Sequence, residues 1–432
     1  MSVLDQTTHS SNDPATGDGS ESPERLNVLI SAFSCWPGKG SEAGVGWNWS
    51  TIASRHHNVW VLVWPENRPA IETELDRMDG PKPNFIYWRV PGWPESLLPI
   101  DEYMRIYYVL WQLTILPRAW WLHKRIGFDA VHHLTFNTIE LPGFLWILGA
   151  PFYWGPVGGA QEPPSSLRHH FGGAWFGEVV RIIRKRIVPW NPLVRMSLRR
   201  AKKVLAANED TARLLEKCGV KDPPRELETG IDTSTIEVVD ESSDPERLTV
   251  LWAGKFFARK GPFLAISAIA EAKRQGIPVR MLIAGDGPQE SAMKQHINAL
   301  GLDEDVELLG RLNHQEMTEF YRRGDVLFFS SLHDTSGNVM LEAMAHGLPV
   351  LALDQHGAAE IVDEYSGVKV PVADEQSVLT GFADGMQTFY ENPDQRKSMG
   401  YSARKRVEAK YSWSRKNELI RDLYVSESTV KA

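Results

Sequence analysis

Two acids, Asp334 and Glu342, bracket the stretch of this sequence best equipped for chemistry. Between them, Ser336-Gly337-Asn338-Val339 ends a polar loop that follows the apolar run Val326–Phe329, and it opens a helix that Gly347 stops. The first turn of a helix leaves backbone N–H groups without partners and carries the positive end of the helix dipole. Gly337, Asn338 and Val339 therefore offer an anion site. Glu342 falls one turn beyond Asn338 on the same face, so its carboxylate looks toward whatever binds there. Asp334 stands at the mouth of the loop. Two acids around a phosphate cradle point to a sugar-nucleotide rather than to a plain phosphate.

Other residues share this chemistry. Lys255 and Lys260-Gly261 leave the apolar run Leu248–Ala253 on one short loop, a natural pair of cations for a diphosphate; alone, two such lysines read equally as surface residues. Gly285-Asp286-Gly287 and Gly310-Arg311 follow the next two apolar runs, so Gly285 and Arg311 belong to turns on the same sheet edge. In the first half, Gly38, Gly40, Gly44 and Gly46 form a glycine loop between an apolar run and a helix, which either admits a ligand close to the backbone or makes a tight turn on the sheet. Its spacing is not G-x-G-x-x-G, which counts against a nicotinamide dinucleotide. His132 and His133 end a short apolar run; adjacent residues on a strand face opposite ways, so at most one looks into a cleft. Gly158 and Gly159 close the following run. Asp303-Glu304-Asp305 resembles a metal-holding acid triplet, but it precedes its strand at the end away from the ligand and reads as a solvated turn, so no metal is expected.

The elements that position these residues alternate throughout. Apolar strand-like runs at 26–33, 58–64, 85–90, 129–136, 151–159 and 203–208 are followed by a second series at 248–253, 280–284, 306–309, 326–329, 349–353 and 368–372. Helical periodicity fills the gaps, as at 263–273 and 289–300. Such alternation gives parallel sheets with right-handed crossovers. The expected fold class is α/β: two doubly wound Rossmann-like domains facing a central cleft. Residues 1–24 read as a disordered tail and 25–236 as an acceptor-binding domain. An acidic, Pro-ended linker at 237–246 leads to a nucleotide-sugar domain at 247–412, and 413–432 as a last helix.

Composition narrows the classes. The 432 residues are 42% hydrophobic and 24% charged, and the net charge of −8 argues against a general nucleic-acid binder. Only Cys35 and Cys218 are present, which favours a reducing compartment over a disulfide framework. The Ser/Thr/Asp-rich start has no apolar run of signal-peptide type, and no run of about 20 apolar residues is long enough to span a bilayer. A cytoplasmic location is expected, with peripheral contact at the inner face of a membrane as one reading. That contact would use the aromatic segment 104–125, otherwise a core helix interrupted by Pro117. Its companion is the basic, acid-free segment 181–203, otherwise a solvated face.

Taken in order, the glycine loop, Lys255-x4-Lys260-Gly261, Gly285-Asp286-Gly287-Pro288 and Asp334-x7-Glu342 followed by Ala343-Met344-Ala345-His346-Gly347-Leu348-Pro349-Val350 resemble a family-4 (group 1) retaining glycosyltransferase of GT-B architecture. The resemblance spans roughly residues 26–424. It implies a hexosyltransferase that moves a sugar from a nucleotide-diphosphate sugar, a co-substrate rather than a cofactor, with retained anomeric configuration. The implied acceptor is a glycan or lipid-linked intermediate of surface polysaccharide synthesis, since Gly155-Pro-Val-Gly-Gly159 resembles a loop of members acting there. Asp334 takes the place of an acid that contacts donor sugar hydroxyls, one methylene shorter than the usual Glu. Glu342 takes that of the ribose-holding acid. Asn338 and Val339 offer amides, and Lys255 and Lys260 neutralise phosphates. His133 is the implied cleft histidine, although Leu134 stands where many members carry a second His. His132, Gly158 and Gly159 fall on the acceptor side. A nucleotide-sugar 2-epimerase or a non-catalytic sugar-nucleotide binder fits the same architecture.

Overall fold

In the computed structural model, residues 25–425 are described apart from 95–96, 98–100, 137, 235 and 237–243. The expected tail at 1–24 and most of the expected linker lie outside the described residues. The first six strands are β1 (Asn27–Ser31), β2 (Asn58–Val63), β3 (Asn84–Tyr87), β4 (Ala130–His133), β5 (Phe152–Val157) and β6 (Ala201–Ala206). The second six are β7 (Leu248–Ala253), β8 (Val279–Ala284), β9 (Val306–Gly310), β10 (Val326–Phe329), β11 (Val350–Leu353) and β12 (Gly367–Val370).

Each series forms one parallel six-stranded sheet. The orders are β3-β2-β1-β4-β5-β6 and β9-β8-β7-β10-β11-β12, the same doubly wound order twice. The fold class is as expected. In this order the connections leave opposite faces at β1/β4 and at β7/β10, and the crevice at such a switch point is where an open sheet binds ligands. Strands covered on both faces read as unbroken apolar runs, and β10 (VLFF) and β11 (VLAL) are buried at every residue.

The aromatic segment forms one helix, Asp101–Ile126, which continues through Pro117 instead of breaking there. Tyr107, Tyr108, Trp111, Ile115, Ala119 and Leu122 are buried along one face, and their packing outweighs the backbone hydrogen bond that proline removes. The last helix, Trp413–Leu423, lies against the helix Ser41–His56 of the first half, and Tyr424 beyond it enters the first core.

His132 and His133 occupy opposite faces of β4, and both are 0% exposed. The Nδ1 of His132 is 2.7 Å from the Tyr424 hydroxyl and its Nε2 is 2.6 Å from the Gly155 carbonyl. The Nε2 of His133 is 3.2 Å from the Tyr108 hydroxyl. Burial pushes His132 down to about 4 and His133 down to about 3. Both rings are neutral in the folded chain, whereas in the unfolded chain they titrate near the ordinary value of about 6.5. Above that pH they add no pH dependence. Below it the unfolded state binds protons first, so stability falls as pH drops toward the folded values. Thermal melts between pH 7.5 and 5 should show this loss, and His133→Gln should flatten its slope by roughly 1 kcal/mol per pH unit. An unchanged slope contradicts the neutral, buried assignment.

Candidate functional site

The neighbouring strands β7 and β10 carry the centre of the site. After β7, the short turn Ala258–Lys260 turns back at Gly261; after β10, the chain runs through Ser330 to Gly337 before the helix Asn338–Ala345. The two ends are tied together by hydroxyls. Trp252 Nε1 donates to Ser330 Oγ at 2.9 Å, Ser330 Oγ donates to the Gly261 carbonyl at 2.8 Å, and Ser331 Oγ donates to the Arg259 carbonyl at 3.1 Å. This frame brings Lys260 Nζ onto Asp334 Oδ2 as an ion pair whose side chains are 19% and 17% exposed. The other Asp334 oxygen accepts the Thr335 amide at 3.0 Å.

Gly337 caps the helix with φ 67°, and a Cβ there would stand 2.7 Å from the Phe329 ring, so only glycine fits this entry. The amides of Asn338 and Val339 belong to the first turn, which has no intrahelical carbonyl for them. Glu342, one turn on, accepts the Tyr321 hydroxyl at 2.8 Å, and burial raises its pKa. Glu342 lines a cavity of about 260 Å³ with Lys39, Gly40, Ser41, Asn338 and Trp413.

That cavity is the first of a row. It shares Ser41, Thr229 and Asn338 with a cavity of about 330 Å³ whose wall includes Glu42, Gly158, Gly159, Glu228, Asp334 and Ser336. Thr138, Gly159, Asp334 and Thr335 are shared in turn with a charged cavity of about 290 Å³ that adds Arg105, Glu140, Gln161, Arg181, Lys185, Arg259 and His333. Both halves of the chain contribute to all three walls. Polar contacts across the cleft hold them in place: Asn208 Nδ2 donates to the Thr335 carbonyl at 3.2 Å, His356 Nδ1 is 2.8 Å from Asp210, and His333 Nδ1 is 3.1 Å from Glu178. Gly158 makes room for this approach, since a Cβ on it would lie 2.9 Å from the Thr335 methyl.

The structure therefore gathers Asp334, Glu342, Asn338, Gly40, Gly158 and Gly159 around one cleft, with Gly337 and Val339 at the helix entry and Lys260 behind Asp334. Lys255 stands apart: its ammonium pairs with Asp286 at 3.1 Å and its side chain is 60% exposed, and like Lys260 it is not on the walls of these cavities. Gly285 shapes the same turn, with its amide donating to the Gly310 carbonyl at 2.8 Å. Arg311 is exposed and off the cavity walls. His132 and His133 are a correction. Neither lines these cavities: both are 0% exposed, His132 is held by Tyr424 and Gly155, and His133 meets Tyr108 through Nε2, its Nδ1 having no partner among the described residues. Asp305 is held by Arg247 at 2.7 Å and by Lys273, so the acid triplet is an anchored turn at the start of β9.

Sequence reading missed several wall residues. Glu228, with Oε2 unpartnered among the described residues and its pKa raised by burial, faces the middle cavity; its only signal was an acid before Thr229-Gly230. Glu178, Arg181 and Lys185 lie at helical spacing on Trp175–Ile187, and that spacing was legible. Arg181 makes two hydrogen bonds to Glu178 at 2.6 and 2.7 Å. Lys185 is 2% exposed, its Nζ donates to the Gln161 carbonyl, and burial with the nearby Arg181 charge pushes it down to about 8.

Residues 235–406 match the family model described as glycosyl transferases group 1. Among curated proteins, the chain is 29% identical over 180 residues to the alpha-D-kanosaminyltransferase of Streptomyces kanamyceticus, covering 41% of this chain and 46% of that one. It is also 29% identical over 190 residues to the D-inositol 3-phosphate glycosyltransferase of Saccharomonospora viridis, covering 41% and 43%. The chain thus spans less than half the length of these relatives. Among solved structures, HepE of Anabaena in complex with UDP and glucose aligns with a TM-score of 0.60 at 16% identity over 92% of this chain and 99% of that one. A glycosyltransferase of Rickettsia africae aligns at 0.63, with 16% identity over 93% and 99%. The fold is GT-B.

Proposed function

We propose that this chain, which carries a group 1 glycosyl transferase domain on a GT-B fold, moves a sugar from a nucleotide-diphosphate sugar to an acceptor with retention of anomeric configuration. The observation that supports the reading is the mostly buried Lys260–Asp334 pair beside a helix start with no side-chain cap, with Glu342 one turn further along that helix. The nucleotide lies toward the second half, with its ribose at Glu342 and its diphosphate at the amides of Asn338 and Val339. The sugar occupies the middle cavity, within reach of Asp334 and Glu228. The bond from the anomeric carbon to the diphosphate oxygen breaks, and the acceptor hydroxyl attacks from the same face. Its proton passes to the departing diphosphate, whose charge Lys260 and the helix start stabilise. No step calls for an enzyme nucleophile. Cations and amides aimed at the leaving group can act in place of a metal, and closure of the cleft keeps water from competing.

Lys260→Met should lower turnover by about a hundredfold or more, with partial recovery in Lys260→Arg. Melting curves separate this loss from unfolding, since removing one partner of a mostly buried pair also costs stability. A near-normal rate in a folded Lys260→Met protein contradicts the assignment.

Peripheral contact with an anionic membrane belongs to the same reading, with a glycan or lipid-linked acceptor. The helix Trp175–Ile187 is turned inside out: its charged face lines the cleft, while Phe176, Val180, Ile183 and Ile187 stand 76%, 39%, 52% and 55% exposed on the other face. Trp190, at 72%, continues the stripe, with Arg184, Arg186 and Arg195 beside it. No helix among the described residues is long and apolar enough to cross a membrane. An apolar stripe flanked by arginines suits the headgroup region of a bilayer. The protein should co-sediment with phosphatidylglycerol vesicles at low salt, and Phe176→Asp with Ile183→Asp should abolish this. Equal sedimentation of the two proteins contradicts the contact.

A further inference from the structure

The charged cavity beyond Asp334 carries more cations than acids: Arg105, Arg181, Lys185 and Arg259 stand against Glu140 and Asp334. Lys185 is buried and makes no ion pair among the described residues; its ammonium donates to the Gln161 carbonyl, while the acids near it, Glu140, Glu178 and Glu162, are held by Arg184, Arg181 and Arg186. A buried cation with no carboxylate in direct contact is costly, and a bound anion offsets that cost. Gln161 is 0% exposed, and neither its side-chain oxygen nor its nitrogen has a partner among the described residues. Arg259 reaches the same cavity and makes no ion pair among the described residues, whereas Arg181 is held by Glu178. An unpaired lysine, an unpaired arginine and an unpartnered amide on one wall form a receptor for an anion with several acceptor oxygens.

A fourth cavity, about 530 Å³, continues the row. It shares Arg105 and Glu140 with the charged cavity, and its remaining wall is mainly Ile106, Val109, Leu110, Leu141, Ile187 and Val188. Ile106 and Ile187 are each 55% exposed at its rim, so this apolar groove opens onto the exposed stripe of Trp175–Ile187. Glu140 is itself held by Arg184 and, at 3.8 Å, by Arg105, which leaves the junction between the two cavities positive.

We propose that the charged cavity and the groove are one site for an anionic amphiphile, with a phosphate or diphosphate on Lys185, Arg259 and Gln161 and a hydrocarbon chain along Val109 and Leu110. Resting on the transfer reading above, this makes the acceptor a lipid phosphate-linked molecule. Its head is presented to Asp334 from the first half, and its chain leaves toward the membrane-facing stripe. The apolar groove holds the chain because it runs without a break from the positive wall; a neutral glycan would leave both the groove and Lys185 unused.

The test uses monomeric probes and no vesicles, so that surface adsorption does not contribute. Octyl phosphate, octanol and inorganic phosphate are titrated calorimetrically into the full chain, below the concentration at which octyl phosphate aggregates. Octyl phosphate should bind roughly tenfold or more tighter than either of the others, because only it meets both halves of the site. Lys185→Met should remove its advantage over octanol, and Val109→Trp its advantage over inorganic phosphate. Arg259→Ala, at a partly exposed position, serves if Lys185→Met does not fold. Octanol binding as tightly as octyl phosphate, or affinity unchanged in Val109→Trp, overturns the proposal. Thermal shift with a panel of nucleoside diphosphates on the same protein separates the two readings. A nucleotide shift without octyl phosphate binding removes only this site, whereas absence of any nucleotide shift removes the transfer reading.

Discussion

The ion pair between Lys260 and Asp334 sits where the rest of the molecule requires it. β7 and β10 are adjacent only because the second sheet reverses its winding there, and the pair spans the loops that leave these two strands. With both side chains mostly buried, the pair holds only while each partner is present; losing one costs of the order of 3–5 kcal/mol. Ser330, Ser331 and Trp252 fix the loop ends, and Gly337 lets the chain enter the next helix without colliding with Phe329. Asp334 shares a cavity wall with Ser336 and Asn338, so the pair stands beside this helix start as well as bracing the two loops.

The first half completes the site more than it mirrors the second. Its sheet has the same strand order, but at its switch point the glycine loop of Gly38–Gly46 presents backbone, and the histidines of β4 are turned into the core. Its charge arrives on Trp175–Ile187, a helix whose polar face looks inward because the cleft, not the solvent, lies on that side. Four cavities in a row follow: Glu342 with the glycine loop, Asp334 with Glu228, Lys185 with Arg259, and the apolar groove. The lining changes along the row from a helix start with Glu342, to the acids Asp334 and Glu228, to a majority of cations, to aliphatic side chains.

Much of this was legible in the sequence. Short unbroken apolar runs such as Val326–Phe329 and Leu248–Ala253, alternating with helical segments, fit doubly covered parallel strands, and the Asp334–Glu342 stretch carries loop, helix start and both acids within one local segment. What failed depended on partners distant in sequence. His133 was expected in the cleft, but whether a strand-end histidine faces ligand or core depends on Tyr108, which approaches from another element. Lys255 and Lys260 looked alike until β8 supplied Asp286 to one and β10 supplied Asp334 to the other. Pro117 was read as a break, yet a buried aromatic face holds its helix straight through. The basic run 181–203 was read as either a solvated or a membrane face; periodicity alone does not say that residues 178, 181 and 185 look inward.

The central claim, that the second half holds the donor with its diphosphate over the Lys260–Asp334 pair, is tested most directly by a crystal structure with whichever nucleoside diphosphate stabilises the protein most. The account predicts the diphosphate at the amides of Asn338 and Val339 with Lys260 turned toward it, and the ribose hydroxyls on Glu342. A nucleotide seated elsewhere, with the Lys260–Asp334 pair undisturbed and Glu342 still bonded only to Tyr321, would contradict it.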